Sequence, residues 1–596
     1  MKKLQKKLRT ILNSTLKFLS KVSKTRKTCI LSLFLVAIFI FSACAPSYYY
    51  SDDYDPTANP RFTFEEAVAQ KDVLLTKIEY RKKNPQQLRL DISDTDVENT
   101  RDLPNISIYP ITVQGKAPLN VEIACSTEKA GDGLNDIYGN DGWLNVMAER
   151  YNKARADAAI TIRQIVAGEG QQQIVYGGYR PDAYAPSHDK WGEMISESGV
   201  PMKQLAARLV GNTAGILMAP EIYKSFTEKH GDVTLKKVID ASLAGEIIFA
   251  YTYPYASDTG LNILLNILYS FDPKNPLSEI ASNMLREFQK TAPPTANSTS
   301  FMREKARQGI VDCMAMEYQA YINTPELKNY IFIPCGIRHD NPLWVPTDIS
   351  PEKEAVLKDF VEFCLSEESQ AEATKRGFNA HDDYQGSGLE MNGAEVIAAQ
   401  KIWKENKDGG RPVIAVFVVD ISPSMDNRGV GTEGSRLKEL QASLLGALDE
   451  ISETNYIGLI TYDHLVDKVV PIDLYTPTQK AYLRGAIRDL STQNGSTASY
   501  DGAMVALDMV LEKLKEIPDA KAMIFLLSDG DSNSGLTLNE VQDTIVGVGI
   551  PFHPIAYAGE NPQLEALAKT HREGAYTVAT PENVKMVIRN LLNLKM

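Results

Sequence analysis

Residues 413–419 read Val-Ile-Ala-Val-Phe-Val-Val and run straight into Asp420-Ile421-Ser422-Pro423-Ser424. A short run with no polar residue is a strand covered on both faces. Such strands belong to parallel sheets with helices above and below. The same alternation continues to the end of the chain. Helices are predicted at 436–451, 478–490, 499–514, 538–546, 563–570 and 583–594. Strands are predicted at 456–462, 522–527, 551–556 and 575–578, with 468–472 as the antiparallel neighbour of 456–462. Residues 411–596 therefore read as a doubly wound α/β domain. In such folds ligands sit where the C-terminal ends of strands meet.

With 596 residues, the chain is too long for one hydrophobic core, and two or three domains are expected. Residues 116–380 alternate strand and helix less regularly. Strands are predicted at 120–124, 159–166 and 214–218, with 332–334 the end of another. Helices are predicted at 143–154, 234–243, 260–269 and 351–366. The fold class is again α/β. Residues 381–410, with Gln385-Gly386-Ser387-Gly388 and Asp408-Gly409-Gly410, read as a linker holding one helix. Residues 45–60 are polar and rich in Tyr and Pro, a tether. Residues 61–115 are either a small separate element or a decoration of the next domain.

Residues 1–43 carry ten Lys and Arg and no acidic residue, which leaves about −23 on the remainder from a net −13. An acidic body disfavours nucleic acid, whose binding rests on neutralised phosphates. Residues 29–41 form an apolar run of 13, short for a membrane span and suited to a signal core. Phe41-Ser42-Ala43-Cys44 resembles the bacterial lipobox, which implies a signal peptide over 1–43 and a lipid on Cys44. The other readings are an uncleaved signal anchor or cleavage with no lipid. Each places the body outside the cytoplasm, at a membrane. Residues 44–115 then hold the lipidated Cys, the tether and the unassigned element. Cys125, Cys313, Cys335 and Cys364 form no CxxC pair, so zinc is disfavoured. Disulfides and buried thiols are both compatible with them.

Three polar segments in the last domain fall at strand ends or helix starts: 420–424, 494–497 and 527–530. Together they supply Asp420, Ser422, Ser424, Thr497 and Asp529. Two carboxylates and three hydroxyls suit a hard divalent cation, magnesium first and manganese or calcium as alternatives. This set closely resembles the von Willebrand factor A family, whose Asp-x-Ser-x-Ser, Thr and Asp form a metal-ion-dependent adhesion site. The resemblance implies that Ser422, Ser424 and Thr497 bind the ion directly or by exchange with water. It also implies that Asp420 and Asp529 act largely through water, and that one open position takes a carboxylate from a protein or peptide partner. Asp531-Ser532-Asn533 reads as an exposed acidic turn, with support of the metal-binding residues from behind as the other reading, and His464, His553 and His571 read as surface or packing residues.

Residues 116–380 resemble the type 2 bacterial extracellular solute-binding proteins, two α/β lobes around a cleft. The likeness is carried by 125–129, 182–187, 252–260 and 311–318. It implies a small polar or anionic ligand, with Ser126, Thr127, Ser187 and Thr259 as candidate contacts. For each of them a helix cap is an equal reading. Asp132, Asp136, Asn140, Asp141 and Gly142 miss the EF-hand spacing and read as an acidic surface insertion. No GxSxG, HExxH, P-loop or Cys/His nucleophile set occurs, so no enzyme is expected. The expected function is a membrane-anchored binding protein with an adhesive metal site. The alternative is the solute receptor of an ABC-type transporter.

Overall fold

The structure is a computed structural model. It describes residues 60–83, 88–91, 103, 105–131, 142–291, 302, 313–428, 434–448, 451–557, 559–571, 573–580 and 583–595. Cys44 with the signal segment, and Asp132, Asp136, Asn140 and Asp141, lie outside them.

The strands in chain order are β1 (Tyr80–Lys82), β2 (Ile111–Val113), β3 (Leu119–Cys125), β4 (Ala158–Gln164), β5 (Ala183–Ala185), β6 (Met202–Ala206), β7 (Asn212–Met218), β8 (Phe249–Ala250), β9 (Cys313–Glu317), β10 (Ile331–His339), β11 (Leu343–Pro346), β12 (Val413–Asp420), β13 (Tyr456–Tyr462), β14 (Val466–Leu474), β15 (Lys521–Ser528), β16 (Phe552–Tyr557) and β17 (Thr577–Ala579). They form three sheets.

The last domain is built on seven strands in the order β1-β14-β13-β12-β15-β16-β17. β12 lies at the centre, parallel to both β13 and β15, and only the β13–β14 pair is antiparallel. The apolar run on β12 divides by side-chain parity. Val413, Ala415, Phe417 and Val419 enter one core, and Ile414, Val416 and Val418 enter the other. A strand with helices on both faces leaves no position for a polar residue until it ends, and the first is Asp420.

Residues 60–83 and 88–91 belong to this domain, which corrects both readings offered for them. Helix Phe64–Leu75 starts from a Thr63–Glu66 capping box. It packs Ala67 and Leu74 into the same core as Val541 and Ile545 of helix Leu538–Val548. Lys71, buried, donates to Asp508 at 2.6 Å. β1 then pairs with β14, and Asp91 takes an ion pair from Arg488 at 2.7 Å. β14 would otherwise be a bare edge with unpaired backbone groups, and covering it is the physical gain.

Residues 105–406 thus lie in the chain between two parts of one domain. They form two lobes. The first is a six-stranded sheet in the order β2-β4-β3-β5-β11-β6, and the second a four-stranded sheet in the order β10-β7-β9-β8. The chain crosses between lobes after β6 and again after β10, where Asn341 adopts φ +51°. β10 runs on to His339, so 332–334 is not its end.

The expected linker 381–410 is corrected as well. Helix Gly393–Asn406 buries Val396, Ala399, Gln400 and Trp403. Trp403 Nε1 donates to Tyr251 Oη at 2.8 Å, and Gln400 Nε2 to the Pro254 carbonyl at 2.9 Å, both in the second lobe. At its other end, a Cβ on Gly393 would stand 2.6 Å from the Glu193 backbone of the first lobe. The helix straps one lobe to the other. Cys125, Cys313, Cys335 and Cys364 are all buried. Among the described residues no helix is long and apolar enough to cross a membrane.

Candidate functional site

The parallel register brings Asp420 beside Tyr462, and Val419 beside Leu527, at the C-terminal edge of the central strands. There the polar segments meet. Ser422 N–H donates to Asp420 Oδ1 at 2.8 Å. The hydroxyls of Ser422 and Ser424 lie 3.0 Å apart. Ser424 Oγ donates to Asp529 Oδ1 at 2.7 Å. Four of the five expected residues therefore form one bonded chain, Asp420–Ser422–Ser424–Asp529. Thr497 is joined to it less directly. It is buried, and its backbone is held by the loop that follows Asp529. Its N–H donates to Asn533 Oδ1 at 2.9 Å, and its carbonyl accepts from Asn533 N–H at 2.9 Å.

The donor set fits a hard divalent cation. Asp420 is fully buried, and among the described residues its carboxylate takes neutral donors, Ser528 Oγ at 2.7 Å and the Ser422 N–H. Burial pushes its carboxyl up to about 6, against the pull of those hydrogen bonds, and Asp529 adds to the rise. A buried carboxylate with no cation of its own, ringed by hydroxyls, is the electrostatic arrangement that a metal ion relieves.

Two contributors escaped the sequence reading, Arg436 and Ser528. Arg436 Nη1 stands 2.6 Å from Asp529 Oδ2, and the Asp529 side chain is fully buried. Arg436 opens helix Arg436–Ala447, and nothing local marks it as more than a surface residue. Ser528 holds Asp420. Asp531 and Asn533 are exposed, as the turn reading has it, and Ser532 and Asn533 also clamp the Thr497 segment, since Ser532 Oγ accepts from Ser499 N–H at 3.1 Å and Asn533 Oδ1 from Thr497 N–H. Their place directly after the Asp529 strand end was the available signal. Of the histidines, His464 lies 2.8 Å from Asp463 and close against Gly495, His553 packs on the Phe525 ring, and His571 accepts from Glu573 N–H.

The interlobe candidates are also brought together, but around side chains of the protein itself. Ser126 and Ser187 are fully buried and Thr259 nearly so. Ser126 does not cap the helix that follows it. Its hydroxyl and that of Ser187 both donate to Glu128 Oε1. Thr259 Oγ1 donates to Glu317 Oε1 at 3.3 Å, and its helix is capped by Ser257. Thr127, half-buried, opens helix Thr127–Ala130. Asp258 sits between the two carboxylates, accepting from Ser187 N–H at 3.1 Å. Burial, with Glu128 and Glu317 beside it, pushes its carboxyl up to about 7. His339 bonds Glu317 at 2.9 Å. Burial opposes its charge, but Glu317 outweighs that and raises it.

Residues 415–590 match the family model for the von Willebrand factor type A domain. The last domain is a von Willebrand factor type A domain. No curated protein matches the chain. Among solved structures the chain is similar to iron-bound HitA from Pseudomonas aeruginosa, at 15% identity over 49% of this chain and 100% of that one, TM-score 0.35. It is similar to the sulfate-binding protein SubI from Mycobacterium tuberculosis H37Rv, at 13% over 44% and 88%, TM-score 0.33. It is also similar to the vWF domain of the type V pili tip protein Mfa5 from Porphyromonas gingivalis, at 15% over 30% and 94%, TM-score 0.24.

Proposed function

We propose that this chain is an exported, lipid-anchored binding protein with no enzymatic role. Its last domain grips a carboxylate of a protein or peptide partner through a divalent ion, magnesium first. The observation that supports this is the bonded chain Asp420–Ser422–Ser424–Asp529 at the C-terminal edge of the central strands. Asp420 and Asp529 supply the charge, the serine hydroxyls and Thr497 the neutral oxygens, and Arg436 balances Asp529 until the ion arrives. When bound, the ion supplies an electrophilic position for an incoming carboxylate. The middle domain is the module for a small polar or anionic solute.

Calorimetric titration with magnesium chloride tests the metal reading. The wild-type protein should bind about one equivalent, and Asp420→Ala none, with an unchanged circular dichroism spectrum. Equal binding by both proteins would sink it.

A further inference from the structure

Lys129 is completely buried beside the crossing segments. Its ammonium donates to three groups: Ser126 Oγ at 2.6 Å, Glu128 Oε1 at 2.6 Å and Asn341 Oδ1 at 2.7 Å. The same Glu128 oxygen accepts from the Ser126 and Ser187 hydroxyls. One carboxylate oxygen thus collects an ammonium and two hydroxyls, a donor set suited to a small oxyanion. The donors come from two segments, since Ser126 and Lys129 follow β3 and Ser187 follows β5, and Asn341, which accepts from Lys129, lies between β10 and β11. Asn341 adopts φ +51°, in the left-handed region that asparagine tolerates better than most side chains. Its amide donates to the Val210 and His339 carbonyls, which aims its oxygen at Lys129. The donors are buried, whereas the Glu128 side chain keeps 11% of its surface exposed. The carboxylate is the member of the cluster nearest to leaving it.

We propose that Ser126, Lys129 and Ser187 form an oxyanion seat in which the Glu128 carboxylate is a built-in ligand, so that a small carboxylate solute enters only by displacing it. This deepens the small-solute part of the function proposed above and is independent of the metal part. Burial opposes the charge on Glu128, but Lys129 and the two hydroxyls outweigh it and hold the carboxyl down at about 2. The seat is therefore filled by an anion at every physiological pH.

Glu128→Ala removes a CH2–COO− unit, which acetate replaces nearly atom for atom. The test is thermal melting of the full protein in sodium acetate against sodium chloride at matched ionic strength. The variant should melt lower than wild type in chloride, because Lys129 loses its counter-ion. It should gain on the order of 5 °C in saturating acetate, rising with the logarithm of concentration. The wild-type protein should show no acetate-specific rise. The double variant Glu128→Ala, Lys129→Met removes the seat's charge and should not respond either. If Glu128→Ala folds only poorly in chloride, its refolding yield in the two salts gives the same readout, and equal yields overturn the proposal. An acetate response in Glu128→Ala no larger than in the double variant also overturns it. An equal response in wild type and Glu128→Ala removes the built-in ligand while leaving a solute site in place.

Discussion

Replacing Arg436 with Gln should weaken the metal-free last domain and strengthen its grip on magnesium. The Asp529 carboxylate is fully buried and has two charged or polar partners, Arg436 Nη1 at 2.6 Å and Ser424 Oγ at 2.7 Å. Removing one partner of a buried ion pair costs about 3–5 kcal/mol. Arg436 is 23% exposed and the serine bond survives, so a loss of about 2–3 kcal/mol is expected in EDTA. A divalent ion held by Asp420 and Asp529 would repel the guanidinium that bonds Asp529 Oδ2. Water reaching Arg436 and movement of its long side chain leave about 1–3 kcal/mol of that repulsion, or roughly a 5- to 150-fold tighter dissociation constant for Arg436→Gln. The stability loss should also vanish in saturating magnesium, because the ion then neutralises Asp529. Calorimetry gives the affinity, and the denaturant midpoint of the last domain in EDTA and in magnesium gives the stabilities. An affinity equal to or below that of wild type would refute the competition between Arg436 and the ion. A midpoint unchanged in EDTA would refute the structural half.

Trp403→Ala should loosen the strap between the lobes and cost about 3–5 kcal/mol in the middle domain, since Trp403 is 1% exposed and its indole bonds Tyr251; an unchanged melting temperature would contradict the strap. Asp258 is held protonated to about 7 against an ordinary 3.8, so the native state binds the extra proton between those values. Its contribution is full below the lower value and lost as pH rises through the upper one, a decline on the order of 4 kcal/mol. Asp258→Asn should flatten that decline in denaturant titrations run from about pH 4 to pH 8, and parallel curves would show that Asp258 does not set it. Deleting residues 60–91 should expose Val541, Ile545 and their neighbours and lower the melting point of the last domain. If that domain melts at the same temperature without them, the segment does not belong to its fold.

The last domain was legible because its constraints are local. An all-apolar run ending in Asp-x-Ser-x-Ser fixes both the burial of β12 and the end at which polar groups gather. Period alone located helix Trp143–Ala154 and strand β3 to within a residue. Four of the five residues expected to hold a metal meet as strand-end logic required. What residues 60–91 do was not legible, because a short amphipathic helix and a three-residue strand do not specify whose edge they cover. Only the open flank of β14 decides that. The Gly-rich flanks of residues 381–410 suggested a linker, yet the helix between them fits a groove that exists only once both lobes are folded. Arg436 and Glu128 are ordinary charged residues in sequence, 93 positions from Asp529 and 59 from Ser187 respectively. Their roles come from burial and from which opposite charge or hydroxyl the fold places within 3 Å. The sequence by itself determined the sheet, its polar edge and the chemistry gathered there. Tertiary structure alone decided which charges already occupy the two sites, because the partner of a buried charge is chosen by proximity in space and not by spacing along the chain.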